Sequence, residues 1–195
     1  DDKKITQLAR VTSLNDSDLF VVSIDVGTAP KTRGIKKSDA ITGNASVLVQ
    51  RVEGTPNTTY SSITTALPVD DTIPQNTEGG EILSVTITPK SATNRLVIRA
   101  TFFGTSNTAL ATVLALFQDS IANAIAAKAH QAGSADGLVG TEIYHEMAAG
   151  TTSATTFKLR VGNNSGATTY VNGNSSSRRF GGMVACRISV EEYKV

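Results

Sequence analysis

Tryptophan is missing from this sequence, and cysteine occurs once, at position 186. A single cysteine excludes an intrachain disulfide framework, so stability has to come from packing. With no Trp and only 5% aromatic residues, the core must be assembled from Val, Ile, Leu and Ala. Charge of one sign is lacking as well: 18 Lys and Arg face 17 Asp and Glu, a net charge of +1. Holding a nucleic-acid backbone takes a broad positive field, so no nucleic acid is expected as a partner. Long apolar runs are absent too. The longest, Leu110 to Phe117 with Thr112 inside it, falls far short of the roughly 20 residues a helix needs to span a bilayer, and no membrane insertion is expected. Asp1-Asp2-Lys3-Lys4 lacks the apolar core of a secretion signal. The chain begins without Met, as expected of a start that has been processed or is not covered.

Catalytic signatures are also missing. The sequence has no GxSxG elbow, no phosphate-cradling glycine loop and no zinc-type Cys/His cluster. We therefore expect no catalytic residues, no metal ligands and no cofactor, and a protein that is not an enzyme.

What is present is threonine, 26 residues of it, together with 16 glycines and 39% hydrophobic residues. Threonine suits exposed strand faces, and the Ser, Asn and Gly clusters between apolar runs read as turns. Leu83, Val85 and Ile87 fall on one face of a strand, as do Leu96, Ile98, Ala100 and Phe102 of the next, with turn chemistry from Pro89 to Asn94 between them. Val139, Thr141, Ile143, His145 and Met147 alternate. So do Phe157, Leu159 and Val161, with Lys158 and Arg160 opposite, and Val184, Cys186, Ile188 and Val190, with Arg187, Ser189 and Glu191 opposite. The run from Leu110 to Phe117 fits a strand buried on both sides. Ile121 to Ala129 has alanine's helix propensity but an alternating neighbourhood, and we read it as a strand. Gly54 to Gly80 reads as a loop-rich stretch with a short ordered piece near Tyr60 to Ala66, and Asn172-Gly173 as a hairpin turn. About eight strands spaced by turns predict an all-β fold, an antiparallel sandwich of jelly-roll type. A pairing of Val47–Val52 with Met183–Tyr193 would bring the ends of that domain together.

Thr42 to Ala45 reads as a boundary, which divides the chain into an N-terminal segment, 1–43, and a sandwich domain, 44–195. Some 40 residues rarely bury enough surface to be stable alone, so the first segment is expected to dock against something else. Its apolar anchors would be Leu8, Leu14, Leu19, Phe20, Val22 and Ile35.

DDTIPQNTEGGEILSVTITPKSATNRLVIRATFFG, then ALFQDSIANAIAA, then AAGTTSATTFKLRVGNNSG, then FGGMVACRISVEEY together resemble a domain that recurs in bacteriophage fibre and other virion proteins. The resemblance covers roughly residues 47–195 and lies in the order of the blocks. The segment KKITQLARVTSLNDSDLFVVSIDVGTAPKTRGIKKSDAI resembles, less specifically, the particle-attachment segment that opens many phage fibre and spike proteins. The resemblance implies a virion fibre assembled in the host cytoplasm: an attachment segment that contacts other virion proteins of capsid, neck or tail, then a head domain, commonly a homotrimer. No extended shaft separates anchor from head, which favours a short fibre or capsid decoration over a long tail fibre. A receptor-binding tail fibre that recognises host surface carbohydrate is the alternative. A polysaccharide depolymerase ranks below both, for want of a clear carboxylate pair.

Individual residues are read against plainer roles. His145, flanked by Glu142, Tyr144 and Glu146, has only His130 as a second imidazole and reads as a structural or interface histidine. Cys186 shares its phase with apolar residues and reads as buried. Asn15 to Asp18 reads as a turn or cap. Asp70 and Asp71, with Glu78 or Glu81 as possible co-ligands, read as a solvated loop. Arg178 and Arg179, after Ser175 to Ser177 in a loop tip, are the candidate exposed-loop contacts for an anionic sugar or a neighbouring virion protein.

Overall fold

The computed structural model describes residues 19–24, 31–36 and 46–195. They fall into two separate units. The first contains a hairpin of β1 (Leu19–Ile24) and β2 (Lys31–Lys36), whose antiparallel register pairs Leu19 with Lys36, Phe20 with Ile35 and Val22 with Arg33. Of the expected anchors, Leu8 and Leu14 lie outside the described residues, as does the Asn15 to Asp18 cluster.

The second unit, Val47–Val195, contains ten strands and no α-helix among the described residues. They are β3 (Val47–Glu53), β4 (Ser61–Ile63), β5 (Gly80–Ile87), β6 (Arg95–Ser106), β7 (Ala111–Gln118), β8 (Ala126–Gln131), β9 (Val139–Ala148), β10 (Thr155–Asn163), β11 (Thr169–Val171) and β12 (Arg187–Lys194). One sheet runs β5-β10-β7-β8. The other runs β3-β12-β6, with β9 on the far edge of β6 and the short β11 and β4 continuing beside the C-terminal end of β6. If β4 and β11 are set aside, the first strand pairs with the eighth, the second with the seventh, the third with the sixth and the fourth with the fifth. That nested antiparallel pairing, folded into two facing sheets, is the jelly roll. The sequence expectation of an all-β sandwich therefore holds, and Val47–Val52 does pair with β12.

The apolar faces found by alternation meet between the sheets. Leu83, Val85 and Ile87 of β5 and Leu114, Leu116, Phe157 and Leu159 of its partners pack against Leu96, Ile98, Ala100, Phe102, Ile188 and Val190. Each such Leu, Ile or Phe contributes about 1.5–3 kcal/mol through burial, which is how a core without Trp or disulfides suffices. Consecutive β5 and β6 do not pair with each other; the 88–94 connection carries the chain from one sheet to the other. That crossing depends on sheet order and has no local sequence signal.

Other details differ from expectation. Ile121 to Ile125 is irregular, and only Ala126–Gln131 is strand, so the strand reading holds for the second part of that segment. The tip after β11 is Asn174 to Ser177; Asn172-Gly173 is not the turn, because Gly173 bridges back to Arg178. The last strand starts at Arg187, with Cys186 held only by a bridge to Asn57. Strand β7 is buried on both faces, as expected. Its outer face, Val113, Ala115 and Phe117, is covered by Leu67 and Ala124 of the same chain. A two-sided apolar strand at this position therefore needs no symmetry mate to cover it.

Candidate binding face

Strand polarity gathers the connections 54–60, 132–138 and 172–186 at one end of the sandwich, where hydrogen bonds join them. Asn172 leaves β11 with φ of 59° and is buried. Asn tolerates the left-handed region better than most residues, and here its Nδ2 donates to the carbonyls of Asn57 at 2.9 Å and Thr59 at 3.0 Å. The Tyr60 hydroxyl donates to the Asn174 carbonyl at 2.7 Å, and its ring stacks on Tyr170 at 6.1 Å. Asp136 accepts from the Ser175 backbone N–H at 3.2 Å and hydroxyl at 2.5 Å. Asn174 Oδ1 accepts from the backbone N–H groups of Ser176 and Ser177. Residues 174–177 are thus a tied hairpin tip.

Arg178 and Arg179 follow that tip. Arg178 is exposed; Arg179 is half-buried and donates to the Ser177 hydroxyl at 3.0 Å. They are brought together with an apolar pair that sequence reasoning passed over. Phe180, in a short 3-10 turn at φ of 51°, is 65% exposed, and Met183 is 88% exposed. The Phe180 ring lies 5.8 Å from that of Phe103 on the outer face of the larger sheet. A bulky residue in the left-handed region is strained, and such strain is often associated with binding sites.

From Phe103 the outer face continues along β6 as Thr101 and Arg99. Register places Arg187 of β12 and Glu142 of β9 beside Thr101, and Ser189 and Tyr144 beside Arg99. Ser189 is paired in turn with Glu53 of β3. Arg99, Thr101, Glu142, Arg187, Ser189 and Glu53 line a shallow groove of about 200 Å³ that also takes in Gly54, with Tyr144 beside it. A Cβ on Gly54 would sit 2.3 Å from the Ser84 carbonyl oxygen, so only glycine lets β3 turn there. Most charges on this face are neutralised within the chain. Arg51 reaches Glu53 at 2.6 Å and Glu191 at 3.6 Å, and Arg95 reaches Glu146 at 3.1 Å and lies 5.4 Å from the Tyr193 ring centre. Arg99 lies 4.9 Å from the Tyr144 ring centre and makes no ion pair among the described residues. The guanidinium of Arg187 and the carboxylate of Glu142 line the groove without a side-chain partner among the described residues.

The remaining candidates behave as structural residues. His145 is partly buried opposite Ile98, and that burial lowers its pKa below the ordinary 6.5. The Cys186 thiol is fully buried, 3.5 Å from Asn172 Oδ1, and burial raises its pKa. Asp70 accepts from the backbone and hydroxyl of Thr72, and these bonds lower its pKa, while Glu78 accepts from the Gln75 N–H. No cluster of metal-ligating side chains occurs among the described residues.

The fold and this face define the class, a jelly-roll domain with an outer groove that carries Arg99, Arg187 and Glu142 next to a tied loop end. No protein-family model matches the chain, and no curated protein matches it. Among solved structures it is similar to the enzymatically active domain of tailspike protein 4 of bacteriophage CBA120, with 14% identity over 63% of this chain and 18% of that one, at a TM-score of 0.27. It is also similar to the VP2 subviral particle of infectious bursal disease virus, with 11% identity over 95% of this chain and 46% of that one, at a TM-score of 0.26. The chain thus spans less than half the length of either, and likenesses this distant carry no argument about function.

Proposed function

We propose that the chain is a non-enzymatic phage virion structural protein, a short fibre or decoration held to the particle through its first 43 residues and displaying the jelly roll outward as a homotrimer. The observation that carries this reading is the ordered block resemblance to phage fibre proteins, and each block falls on strands of the jelly roll. The first spans β5, the crossing connection and most of β6; the second contains the end of β7 and the start of β8; the third contains β10; the fourth contains most of β12. Jelly rolls recur in capsid and lectin domains, which agrees with this reading without establishing it. The trimer has support of its own. Edge strand β3 leaves Val47, Leu48 and Val49 between 38% and 50% exposed, and an apolar free edge in a soluble chain calls for a cover. Threefold display multiplies weak contacts.

Mass spectrometry of purified particles tests the assignment. The chain should be present at a constant copy number, and its absence would end the reading. Sedimentation equilibrium tests the trimer, with a mass three times the 20.4 kDa of the chain expected and a monomer at micromolar concentration refuting it.

A further inference from the structure

We infer that the groove on the outer face of the larger sheet binds a carboxylated saccharide. Arg187 and Arg99 stand diagonally across β12 and β6, because Arg187 pairs with Thr101 and Arg99 with Ser189. Diagonal neighbours in a sheet lie about 7–8 Å apart at the backbone, so two long guanidinium side chains can converge on one carboxylate. Neither makes an ion pair among the described residues, whereas Arg51 and Arg95 on the same face do.

The other groups in the groove suit sugar hydroxyls. Glu142 is an acceptor with no donor among the described residues, Thr101 and Ser189 present hydroxyls, and beside the groove the exposed Tyr144 flanks Arg99 with an aromatic surface. Glu53, the second carboxylate in the groove, is already held by Arg51 at 2.6 Å and does not offset the two free guanidinium groups. The volume of about 200 Å³ suits one sugar ring with its neighbours running out over the face. An acidic peptide fits less well. Extended peptides commonly add to sheet edges, and this groove lies across the interior strands β12 and β6. The proposal goes beyond the virion role and does not depend on it, since it concerns the isolated chain.

The test is titration calorimetry of the purified chain with a glucuronate-containing oligosaccharide. Its methyl ester and a poly-glutamate peptide serve as comparison probes. Binding of the free acid is expected, with affinity reduced at least tenfold in Arg187→Ala and in Arg99→Ala, as loss of a charge-assisted contact predicts. Lys128→Ala, on exposed strand β8 of the other sheet, should bind as the parent does. Circular dichroism confirms that each variant is folded, and amide NMR shifts on adding the acid should centre on Thr101 and Ser189. The proposal is overturned by no binding at millimolar acid, by equal binding of the ester or the peptide, by unchanged affinity in both arginine variants, or by an equal loss in Lys128→Ala.

Discussion

Replacing Glu192 with alanine is expected to loosen the end of the sandwich opposite the groove. Glu192 sits on β12 in phase with Cys186, Ile188 and Val190 and has no exposed surface. Its Oε1 accepts from the Lys90 N–H at 2.8 Å, the Ser91 N–H at 3.2 Å and Asn94 Nδ2 at 2.6 Å. Its Oε2 accepts from Gln50 Nε2 at 2.5 Å. One carboxylate thereby ties the 88–94 crossing and strand β3 to β12. Alanine leaves those donors facing a void. A buried donor without a partner costs about 1–3 kcal/mol. Gln50 Nε2 keeps its bond to the Thr88 carbonyl, so three donors lose their acceptor, and at the low end of about 1 kcal/mol each the cost is about 3 kcal/mol in total. In a domain of this size that lowers Tm by about 10 °C. Glutamine keeps an oxygen for three donors but turns an amide toward Gln50, which must flip and give up its bond to the Thr88 carbonyl; about half the alanine loss is expected.

The pH dependence has a definite sign. Burial alone would raise the carboxyl pKa, but the hydrogen bonds from Asn94, Gln50 and the amides of Lys90 and Ser91 outweigh it, and the pKa falls below 4.5. The unfolded chain then takes up the proton first. The stabilisation is fully present above about pH 4.5 and is lost as pH drops through the lower folded pKa. Urea denaturation followed by far-UV circular dichroism measures all of this. The gap between parent and Glu192→Gln should narrow on acidification. An alanine variant within about 0.5 kcal/mol of the parent, the ordinary scatter of surface substitutions, would refute the reasoning.

Three further outcomes follow from named contacts. His145 should titrate with a midpoint below 6.5 by NMR, because burial disfavours its charged form; the folded state resists that proton, so its contribution to stability falls as pH drops below about 6.5, and His145→Gln should flatten that part of the profile. Gly104→Ala should destabilise by more than about 2 kcal/mol in the same denaturation assay, since its Cβ would lie 1.9 Å from the Tyr170 carbonyl oxygen and force β11 away from β6. Cys186 should resist a thiol reagent in the native protein and react on unfolding, because its thiol is buried with a raised pKa; rapid labelling of the native chain would contradict its place in the core.

Much of the fold was legible because alternation is local. Leu83, Val85, Ile87 and Leu96, Ile98, Ala100, Phe102 announce their buried face within a few residues, and all of them are in the core. Sheet order was legible only where both ends carried a pattern, as for the pairing of β3 with β12. The crossing between β5 and β6 had no signal, because a turn that reverses a hairpin and one that changes sheets use the same residue types. Glu192 was within reach, since a glutamate in phase with Cys186, Ile188 and Val190 has to be either solvated or paired. The groove was not. Arg99, Glu142 and Arg187 look like the ordinary polar side of three separate strands until register places them together. Arg178 and Arg179 were found as a loop tip, but the exposed Phe180 and Met183 beside them have no composition cue that separates them from core residues.

The central claim is that this jelly roll is displayed on a virion. A density map of the intact particle tests it most directly. The account predicts lobes outside the shell or tail surface, grouped in threes, into which the two sheets of Val47–Val195 fit with the loop end and polar face outward. A particle whose every projecting density is accounted for by other chains would contradict it.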